Sequence, residues 1–543
     1  MEGSTDSVSR DAQHDHSNHE NRTSKTVVLL SILAVSAGLM FLPTPEGMRP
    51  EGQRLVGVAV LMAGLWVAQP IPMAATSLLP LVCFPLLGIQ SAGVVSRSYI
   101  NDSVFLYLGG FIIAMGIERW NLHRRMALNM VRLVGVQPKR LVLGFLLATG
   151  GLSMWISNTA STLLMLPIAL ALLTTLDDEH SAKQDQTGEQ SLSDRLSAPL
   201  LLAIAYSASI GGMTTIIGTP TNNAAVAIYE ERVADAQPIS VAQWMIACAP
   251  IGLVYLLIAW YVLTRNLPGA TSRDGELKAE LSRRLIDLGK PSTAEIRMLS
   301  IFALTAALWI FRKPIHVGGF PLTPGWVTWI PEWFQWLGTS LSAEELSKLE
   351  EFVNDSSVSM TMAALMFCVS SGIREADGRV VPLMNWKTAS SLPWDIMLLF
   401  GGGFALAKAF DTTQLSVWMG EALTGPLQQM PPWLMIGVVC LLMTFLTEFT
   451  SNVATVSTLM PTLCAICVAL KIDARLLFIP AALATSCAFM LPIATPPNAI
   501  VFGSGRISMG QMVRYGIILN LIGVPLLVLG TWLLIKPVME IPS

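Results

Sequence analysis

Two clusters of serine, asparagine and threonine are the residues of this sequence best suited to bind a ligand. They occur in "WISNTAST" at 155–162 and in "FTSNVATV" at 449–456, each inside a strongly apolar stretch. Hydroxyl and amide groups are costly to bury unless they find hydrogen-bond partners. Their oxygens are the ligands that a hard cation such as Na+ prefers, and an asparagine amide also offers N–H donors to an anion.

Each cluster is accompanied by a hydroxyl upstream and a helix breaker downstream. Ser153 or Thr447 lies four residues before the cluster serine, and a small residue followed by Thr-Pro lies downstream at 218–220 and 494–496. Proline lacks a backbone donor and clashes with the preceding turn, so it breaks a helix and frees carbonyl oxygens. An isolated Ser or Thr could simply pack helices together, but the paired sets favour a binding site.

The two clusters belong to an internal repeat. Upstream, "FLYLGGFIIAMGI" at 105–117 matches "LLFGGGFALAKAF" at 398–410, and downstream each cluster leads to a proline. The distance from the cluster to the Thr-Pro pair differs between the halves mainly by a polar loop at 175–195. Duplicated halves are a recurrent plan of secondary transporters, whose sites lie near the membrane midplane at interrupted helices. We therefore predict interrupted helices at 141–160 and 434–453.

Composition indicates a polytopic α-helical membrane protein. The chain has 543 residues, of which 52% are hydrophobic and 13% charged, and its mean hydropathy is +0.57. Long apolar runs such as Thr26–Leu42 recur along it, and about 20 apolar residues in a helix cross a bilayer. The domain organisation predicted from these runs is a disordered cytoplasmic tail at 1–25, a first transmembrane helix at 26–54, a first repeat at 55–265, a cytoplasmic linker with a span and an interfacial segment at 266–354, and a second repeat at 355–543.

The sequence favours a transporter over an enzyme. It contains no Walker A motif, no Ser-His-Asp arrangement and no HExxH pattern, so neither ATP-driven transport nor hydrolysis is supported. Glu448 is an acid within the apolar region, a functional candidate by default. It has no counterpart in the first half, where Met154 occupies its place, and a structural or helix-capping role is expected. A channel remains an alternative class, and it would show uptake without sodium coupling.

The motifs resemble those of a known family. "SMWISNTAST", "TEFTSNVATVSTLMP" and "AFMLPIATPPNAIVFGSGRIS" are similar to motifs of the divalent anion/sodium symporter (DASS, solute-carrier 13) family, over nearly all of the chain beyond the tail. The resemblance implies Na+-coupled symport of C4-dicarboxylates such as succinate, malate and fumarate across the cell inner membrane. Alternatives within the family are a citrate or sulfate carrier and a dicarboxylate exchanger.

The resemblance also implies an architecture. It predicts an all-α, multi-pass fold of about 11 transmembrane helices, built from two inverted repeats with re-entrant hairpins. A scaffold domain would hold a homodimer together in the bilayer, and a transport domain would move as an elevator. No nucleic-acid partner is expected.

Site residues are carried over by position. The first sodium site would use Ser153, Ser157, Asn158 and Gly218. The second sodium site would use Thr447, Ser451, Asn452 and Ala494. The dicarboxylate would meet Ser157, Asn158, Thr159, Ser451, Asn452, Val453, Thr219, Pro220, Thr495 and Pro496. The sequence departs from the pattern at Val453, which lacks the hydroxyl of Thr159, and at Thr221, which stands where the second half has a proline.

Overall fold

The computed structural model of the protein is mostly helical. It describes residues 26–100, 102–177, 192–233, 236–269, 274–317, 320–336, 342, 353–374, 378–392, 394–415, 418 and 430–542. The predicted tail at 1–25 lies outside the described residues. The predicted first span at 26–54 contains helix α1, and helix α2 runs across the predicted boundary at residue 55.

The helices of the first half follow one another with short connections. They are α1 Thr26–Phe41, α2 Pro50–Ala68, α3 Met73–Thr76, α4 Leu79–Leu86, α5 Ala92–Arg97, α6 Asp102–Arg119, α7 Leu122–Val134, α8 Pro138–Ser153, α9 Asn158–Asp177, α10 Leu192–Gly212, α11 Pro220–Arg232 and α12 Val241–Thr264.

The connecting region and the second half complete the fold. Their helices are α13 Asp274–Asp287, α14 Thr293–Ile310, α15 Ile330–Trp336, α16 Asp355–Cys368, α17 Trp386–Ala389, α18 Trp394–Thr412, α19 Pro432–Leu446, α20 Asn452–Leu470, α21 Arg475–Thr485, α22 Pro496–Phe502, α23 Met509–Gly530 and α24 Lys536–Val538, with a 3-10 turn at Trp326–Trp329 and a π-turn at Thr531–Ile535.

Two short antiparallel β-hairpins correct the all-α prediction. One pairs β1 Pro314–Val317 with β2 Phe320–Pro324, and the other pairs β3 Ser370–Arg374 with β4 Val380–Pro382. Both follow directly on apolar helices, α14 and α16. The strands are short and lie between helices, where hydropathy does not distinguish a hairpin from a loop.

Several helices can cross a membrane by length and composition. Within the described parts of the chain, five do so: Asn158–Leu176, Val241–Thr264, Thr293–Ile310, Asn452–Leu470 and Met509–Val538. Shorter apolar helices are Thr26–Phe41, Met73–Leu86, Pro432–Leu446 and Arg475–Thr485. One of them, Pro432–Leu446, ends at the second cluster, as expected of an interrupted segment.

The order of elements recurs in the two halves. The pair α8–α9 corresponds to α19–α20, the broken pair α10–α11 to α21–α22, and α12 to α23. Helices α12 and α23 both begin with a capping box, in which a serine side chain and a glutamine three residues later satisfy each other's backbone N–H groups. These two helices pack together, and the hydroxyl of Tyr255 donates to the carbonyl of Leu519 at 2.8 Å.

Candidate functional site

The first cluster lies at a break between two helices. Helix α8 ends at Ser153 and α9 begins at Asn158, which confirms the interruption predicted at 141–160. The hydroxyl of Ser157 accepts a hydrogen bond from Ala160 N at 3.2 Å, so it caps the new helix. The N-terminal end of α9, which carries a partial positive charge, therefore lies at the cluster.

Two acceptor oxygen atoms face the hydroxyl of Ser153. Its Oγ lies 2.7 Å from Oδ1 of Asn158 and 2.7 Å from the carbonyl oxygen of Ala208. A hydroxyl has one proton, so it can donate to only one of these acceptors at a time. Ser153 is fully buried. The result is a buried group of oxygens with fewer protons than acceptors, an arrangement that suits a hard cation.

Gly218 also lies against this oxygen cluster. It lies in the unwound stretch between α10 and α11, where a side chain would collide with backbone: a Cβ would be 2.5 Å from the carbonyl oxygen of Gly212 and 2.8 Å from that of Ser153. Gly212 is also constrained, because a Cβ there would be 2.1 Å from Asn158 Oδ1. The glycines thus let two carbonyls and the Asn158 amide approach one another closely.

Asn222 holds the unwound stretch in shape, and sequence reasoning missed it. Its Nδ2 donates to the carbonyl oxygens of Gly212, Met213 and Thr215 at 3.3, 3.0 and 2.7 Å. Its Oδ1 is buried and has no hydrogen-bond partner among the described residues. The available signal was its position, three residues after Thr219, which Asn498 shares with respect to Thr495.

The second cluster repeats this geometry. Helix α19 ends at Leu446 and α20 begins at Asn452, which confirms the interruption predicted at 434–453. The Oγ1 of Thr447 lies 2.6 Å from Asn452 Oδ1 and 3.2 Å from the carbonyl oxygen of Thr485. Ser451 is the N-cap of α20, but its hydroxyl makes no capping hydrogen bond. Again one buried hydroxyl proton serves two acceptor oxygens.

The second broken helix is closed by the matching asparagine. Asn498 donates from Nδ2 to the carbonyl oxygens of Ala488 and Leu491 at 2.9 and 3.0 Å. Its Oδ1, like that of Asn222, is buried without a partner among the described residues. Ala494 lies buried in this unwound stretch, at the place that Gly218 holds in the first half.

The Thr-Pro pairs start helices, as their sequence predicts. Thr219 and Thr495 are the N-caps of α11 and α22, and each is followed by proline at the first helical position. Both threonines are buried, and their hydroxyls accept backbone N–H groups of their own helices. The proline rings differ, since Pro220 is half-buried and Pro496 is exposed.

Glu448 has a structural role that its isolation in the sequence did not specify. The side chain is buried, and its two carboxylate oxygens accept the N–H groups of Met490 and Leu491 at 2.9 and 3.0 Å. Asn520 Nδ2 of helix α23 donates to it at 2.6 Å. The Glu448 carboxylate therefore connects the second unwound stretch to the end of the second cluster's first helix. Asn520 is a further residue that sequence reasoning missed.

The two halves interlock at their clusters. Helix α11, which follows the first Thr-Pro pair, packs against α20 of the second cluster, and α22 packs against α9 of the first. The remaining residues of the predicted substrate set are half-buried, as expected for side chains at an accessible surface. They are Ser157, Asn158, Thr159, Ser451, Asn452 and Val453.

The combined arrangement has two kinds of binding capacity. Unwound carbonyls with hydroxyl and amide oxygens suit Na+, and the N-terminal ends of interrupted helices suit anionic groups. The described part of the chain has no group of three or more His, Cys, Asp or Glu side chains that could hold a metal ion. The oxygens that meet in the two clusters belong to hydroxyl, amide and carbonyl groups, which are neutral, and the Glu448 side chain lies beside the second cluster.

Comparison with known sequences gives a consistent result. Residues 23–539 match the family model described as the sodium:sulfate symporter transmembrane region. The chain is 35% identical over 523 residues to a sodium-dependent dicarboxylate transporter, SdcS, of Staphylococcus saprophyticus, covering 95% of this chain and 92% of the relative. It is 36% identical over 516 residues to SdcS of Staphylococcus aureus, covering 93% and 91%.

Solved structures of low sequence similarity share the fold. The MtrF protein of Neisseria gonorrhoeae superposes with a TM-score of 0.51 at 12% identity, covering 95% of this chain and 96% of that one. The YdaH transporter of Alcanivorax borkumensis gives a TM-score of 0.51 at 13% identity, covering 94% and 98%. At such identities the likeness concerns the fold alone.

Proposed function

The chain belongs to the family of the sodium:sulfate symporter transmembrane region, and from this premise we propose that it is a secondary active transporter for Na+-coupled symport of C4-dicarboxylates such as succinate, malate and fumarate. Na+ is the coupling ion that the family description and the names of the relatives share. The single observation that carries the proposal is the full-length similarity to sodium-dependent dicarboxylate transporters. The two oxygen clusters are groups in this chain that could bind the coupling Na+.

We propose that each cluster binds one Na+. The first site would use Ser153, Ser157, Asn158 and Gly218. The second would use Thr447, Ser451, Asn452 and Ala494. Support comes from the shared geometry, in which a buried hydroxyl faces an amide oxygen and a backbone carbonyl of the helix that precedes the unwound stretch in both halves. The orphaned amide oxygens of Asn222 and Asn498 add one further acceptor near each unwound stretch.

The dicarboxylate would bind between the two tips. One carboxylate would meet Ser157, Asn158 and Thr159, and the other would meet Ser451, Asn452 and the backbone of Val453. The positive ends of helices α9 and α20 support this assignment, since both helices begin at the tips. Thr219 and Thr495 would contribute from the pocket wall, although their hydroxyls already cap helices.

Transport would require the paired halves to alternate between the two sides of the membrane. We propose inverted repeats, with a transport domain that contains the clusters and moves as an elevator against a scaffold domain of a homodimer, in the cell inner membrane. The recurrent element order of α8–α12 and α19–α23 supports the repeat. The broken helices support a mechanism that carries the site as a unit.

Sulfate is a second candidate substrate because the family description names it. The decisive measurement is uptake of radiolabelled succinate into proteoliposomes, with and without an inward Na+ gradient. We expect accumulation only with the gradient, reduced by excess fumarate or malate and less by citrate or sulfate. Accumulation indifferent to Na+ would exclude symport, and stronger competition by sulfate than by fumarate would reassign the substrate.

The assignment of the clusters is tested by Asn158→Ala and Asn452→Ala. Each removes the amide oxygen that faces the buried hydroxyl, so we expect each to abolish Na+-driven uptake. Asn129→Ala is the matched control, because Asn129 is exposed on helix α7 and, among the described residues, its side chain bonds only to the carbonyl of Arg125. Full activity of either cluster variant would mean that the clusters serve packing.

A further inference from the structure

A polar cavity of about 690 Å³ lies apart from both clusters. It is found where helix α10 begins, where α12 ends and where the chain enters the last long helix, α23. None of the residues assigned to Na+ or dicarboxylate lines it. Its polar lining includes Asp194, Arg195, Asn266, Arg506, Gln511 and Tyr515.

The lining carries excess positive charge and hydrogen-bond donors. Among the described residues that line the cavity, Arg195 and Arg506 each carry a guanidinium group and Asp194 carries a carboxylate. Arg195 is oriented by a hydrogen bond from Nη2 to the carbonyl oxygen of Asn266 at 3.2 Å. Arginine presents a planar fork of donors that matches phosphate or carboxylate oxygens in pairs.

Two further donors line the cavity. Gln511 uses its Oε1 to accept the N–H of Ser508 at 2.9 Å, which leaves its NH2 group for another acceptor. Over the described ranges of the chain, neither this NH2 group nor the hydroxyl of Tyr515 has a hydrogen-bond partner. The cavity thus offers both charge and neutral donors to one anionic group.

Two further arginines are sequence neighbours of lining residues. Arg265 and Arg514 are exposed, and they precede the lining residues Asn266 and Tyr515 directly in the sequence. The end of α12 also contacts the start of α8, where Trp260 Nε1 donates to the carbonyl of Lys139 at 2.8 Å. Basic pockets at the ends of membrane helices are where anionic lipid headgroups collect.

We propose that this cavity binds a phosphoryl group, held by Arg195 and Arg506 and by donors from Gln511 and Tyr515. The cavity lies at helix ends and has room for a phosphate that carries an organic substituent. Two sources share this chemistry: the headgroup of an anionic phospholipid and a soluble phosphate. The site is distinct from the transport site, and its occupation ties the first half to the second, because Arg195 belongs to α10 and Arg506 precedes α23.

The test measures the thermal unfolding midpoint of the full-length protein, since a ligand that binds the native state raises it. One arm adds inorganic phosphate to protein in phosphatidylcholine nanodiscs. The other arm replaces part of the phosphatidylcholine by phosphatidylglycerol. A rise with phosphate identifies a soluble ligand, and a rise only with phosphatidylglycerol identifies a lipid headgroup.

Variants separate a site from general charge effects. In Arg195→Gln and Arg506→Gln the half-saturating concentration of the effective ligand is expected to rise about tenfold, as for the loss of a charged hydrogen bond. Arg265→Gln and Arg514→Gln remove the same charge from exposed neighbours and should keep the wild-type response. The proposal is overturned if neither ligand raises the midpoint, if the response persists in the lining variants, or if the control variants lose as much.

Tyr515→Phe keeps the test decisive if an arginine variant does not fold. It removes one hydroxyl from the cavity and leaves the ring in place, so about a threefold weaker response is expected from the loss of one neutral hydrogen bond. An unchanged response in a folded Tyr515→Phe protein, together with loss of folding in both arginine variants, would assign the cavity to structure alone and contradict the proposal.

Discussion

The two halves of the chain fasten their broken helices to the preceding cluster by different chemistry. In the first half, Thr215 Oγ1 donates to the backbone carbonyl of Met154 at 2.6 Å. In the second half, the carboxylate of Glu448, at the position that corresponds to Met154, accepts two backbone N–H groups of the unwound stretch. The first half thus makes this connection with a neutral hydroxyl and a carbonyl, and the second half makes it with a buried acid.

The supporting helices differ in the same way. Helix α23 contributes Asn520, which donates to Glu448, whereas the corresponding position of α12 is Gly252. A Cβ on Gly252 would be 2.3 Å from Cγ2 of Thr214, so the first half has no room for an asparagine there. The hydroxyl and amide that would meet the ion are alike in both halves, while the groups that hold them in place are not interchangeable.

The largest effect should come from exchanging the small residues of the two unwound stretches. Gly218→Ala places a Cβ against the carbonyls of Gly212 and Ser153, which displaces the first oxygen cluster, and we expect Na+-driven uptake to be lost. Ala494→Gly removes a Cβ that the second half already accommodates, so uptake should persist. Uptake measured against Na+ concentration distinguishes the two, and an active Gly218→Ala protein would show that the first cluster tolerates expansion.

Glu448→Leu should destabilise the protein more than Met154→Leu at the matching position. It leaves the N–H groups of Met490 and Leu491 and the amide of Asn520 without their acceptor, which should cost about 3–5 kcal/mol in all. Met154→Leu, a swap of similar volume at the matching position, should cost less than about 1.5 kcal/mol. Thermal unfolding in detergent measures both, and equal midpoints would mean that the carboxylate is not needed as an acceptor.

A smaller effect should appear in the coupling between Glu448 and Asn520. Glu448→Met with Asn520→Gly recreates the residue pair of the first half, and it removes donor and acceptor together. The double variant should therefore be more stable than the sum of the single changes by about 1 kcal/mol. Glu448→Met combined with the exposed Asn129→Ala is expected to be additive, and additivity in both pairs would show that the acid and the amide act independently.

The sequence predicted the interrupted helices but not how they are held. The breaks at Ser157 and Ser451 follow from polar clusters in apolar segments, and the Thr-Pro pairs mark helix starts, because proline acts locally. Asn222 and Asn520 bond to residues 7–10 and 72 positions away. Such partners depend on how helices pack, which local patterns do not determine. The β-hairpins were missed for a related reason, since their pairing is short and their strands carry little alternation.

A further prediction concerns one of the differences between the two clusters. Thr159 and Val453 occupy matching half-buried positions at the two tips, and they differ by a hydroxyl at nearly constant volume. If Thr159 donates to a substrate carboxylate, Thr159→Val should raise the half-saturating succinate concentration by about tenfold, as for one charged hydrogen bond. Val453→Thr adds a hydroxyl donor for which the site has no positioned acceptor, so the half-saturating succinate concentration should change by about threefold or less. Uptake of succinate in competition with citrate and sulfate measures both variants. Unchanged preferences in the pair would place substrate choice outside these two residues, whereas a shift confined to Thr159→Val would assign it to the first tip.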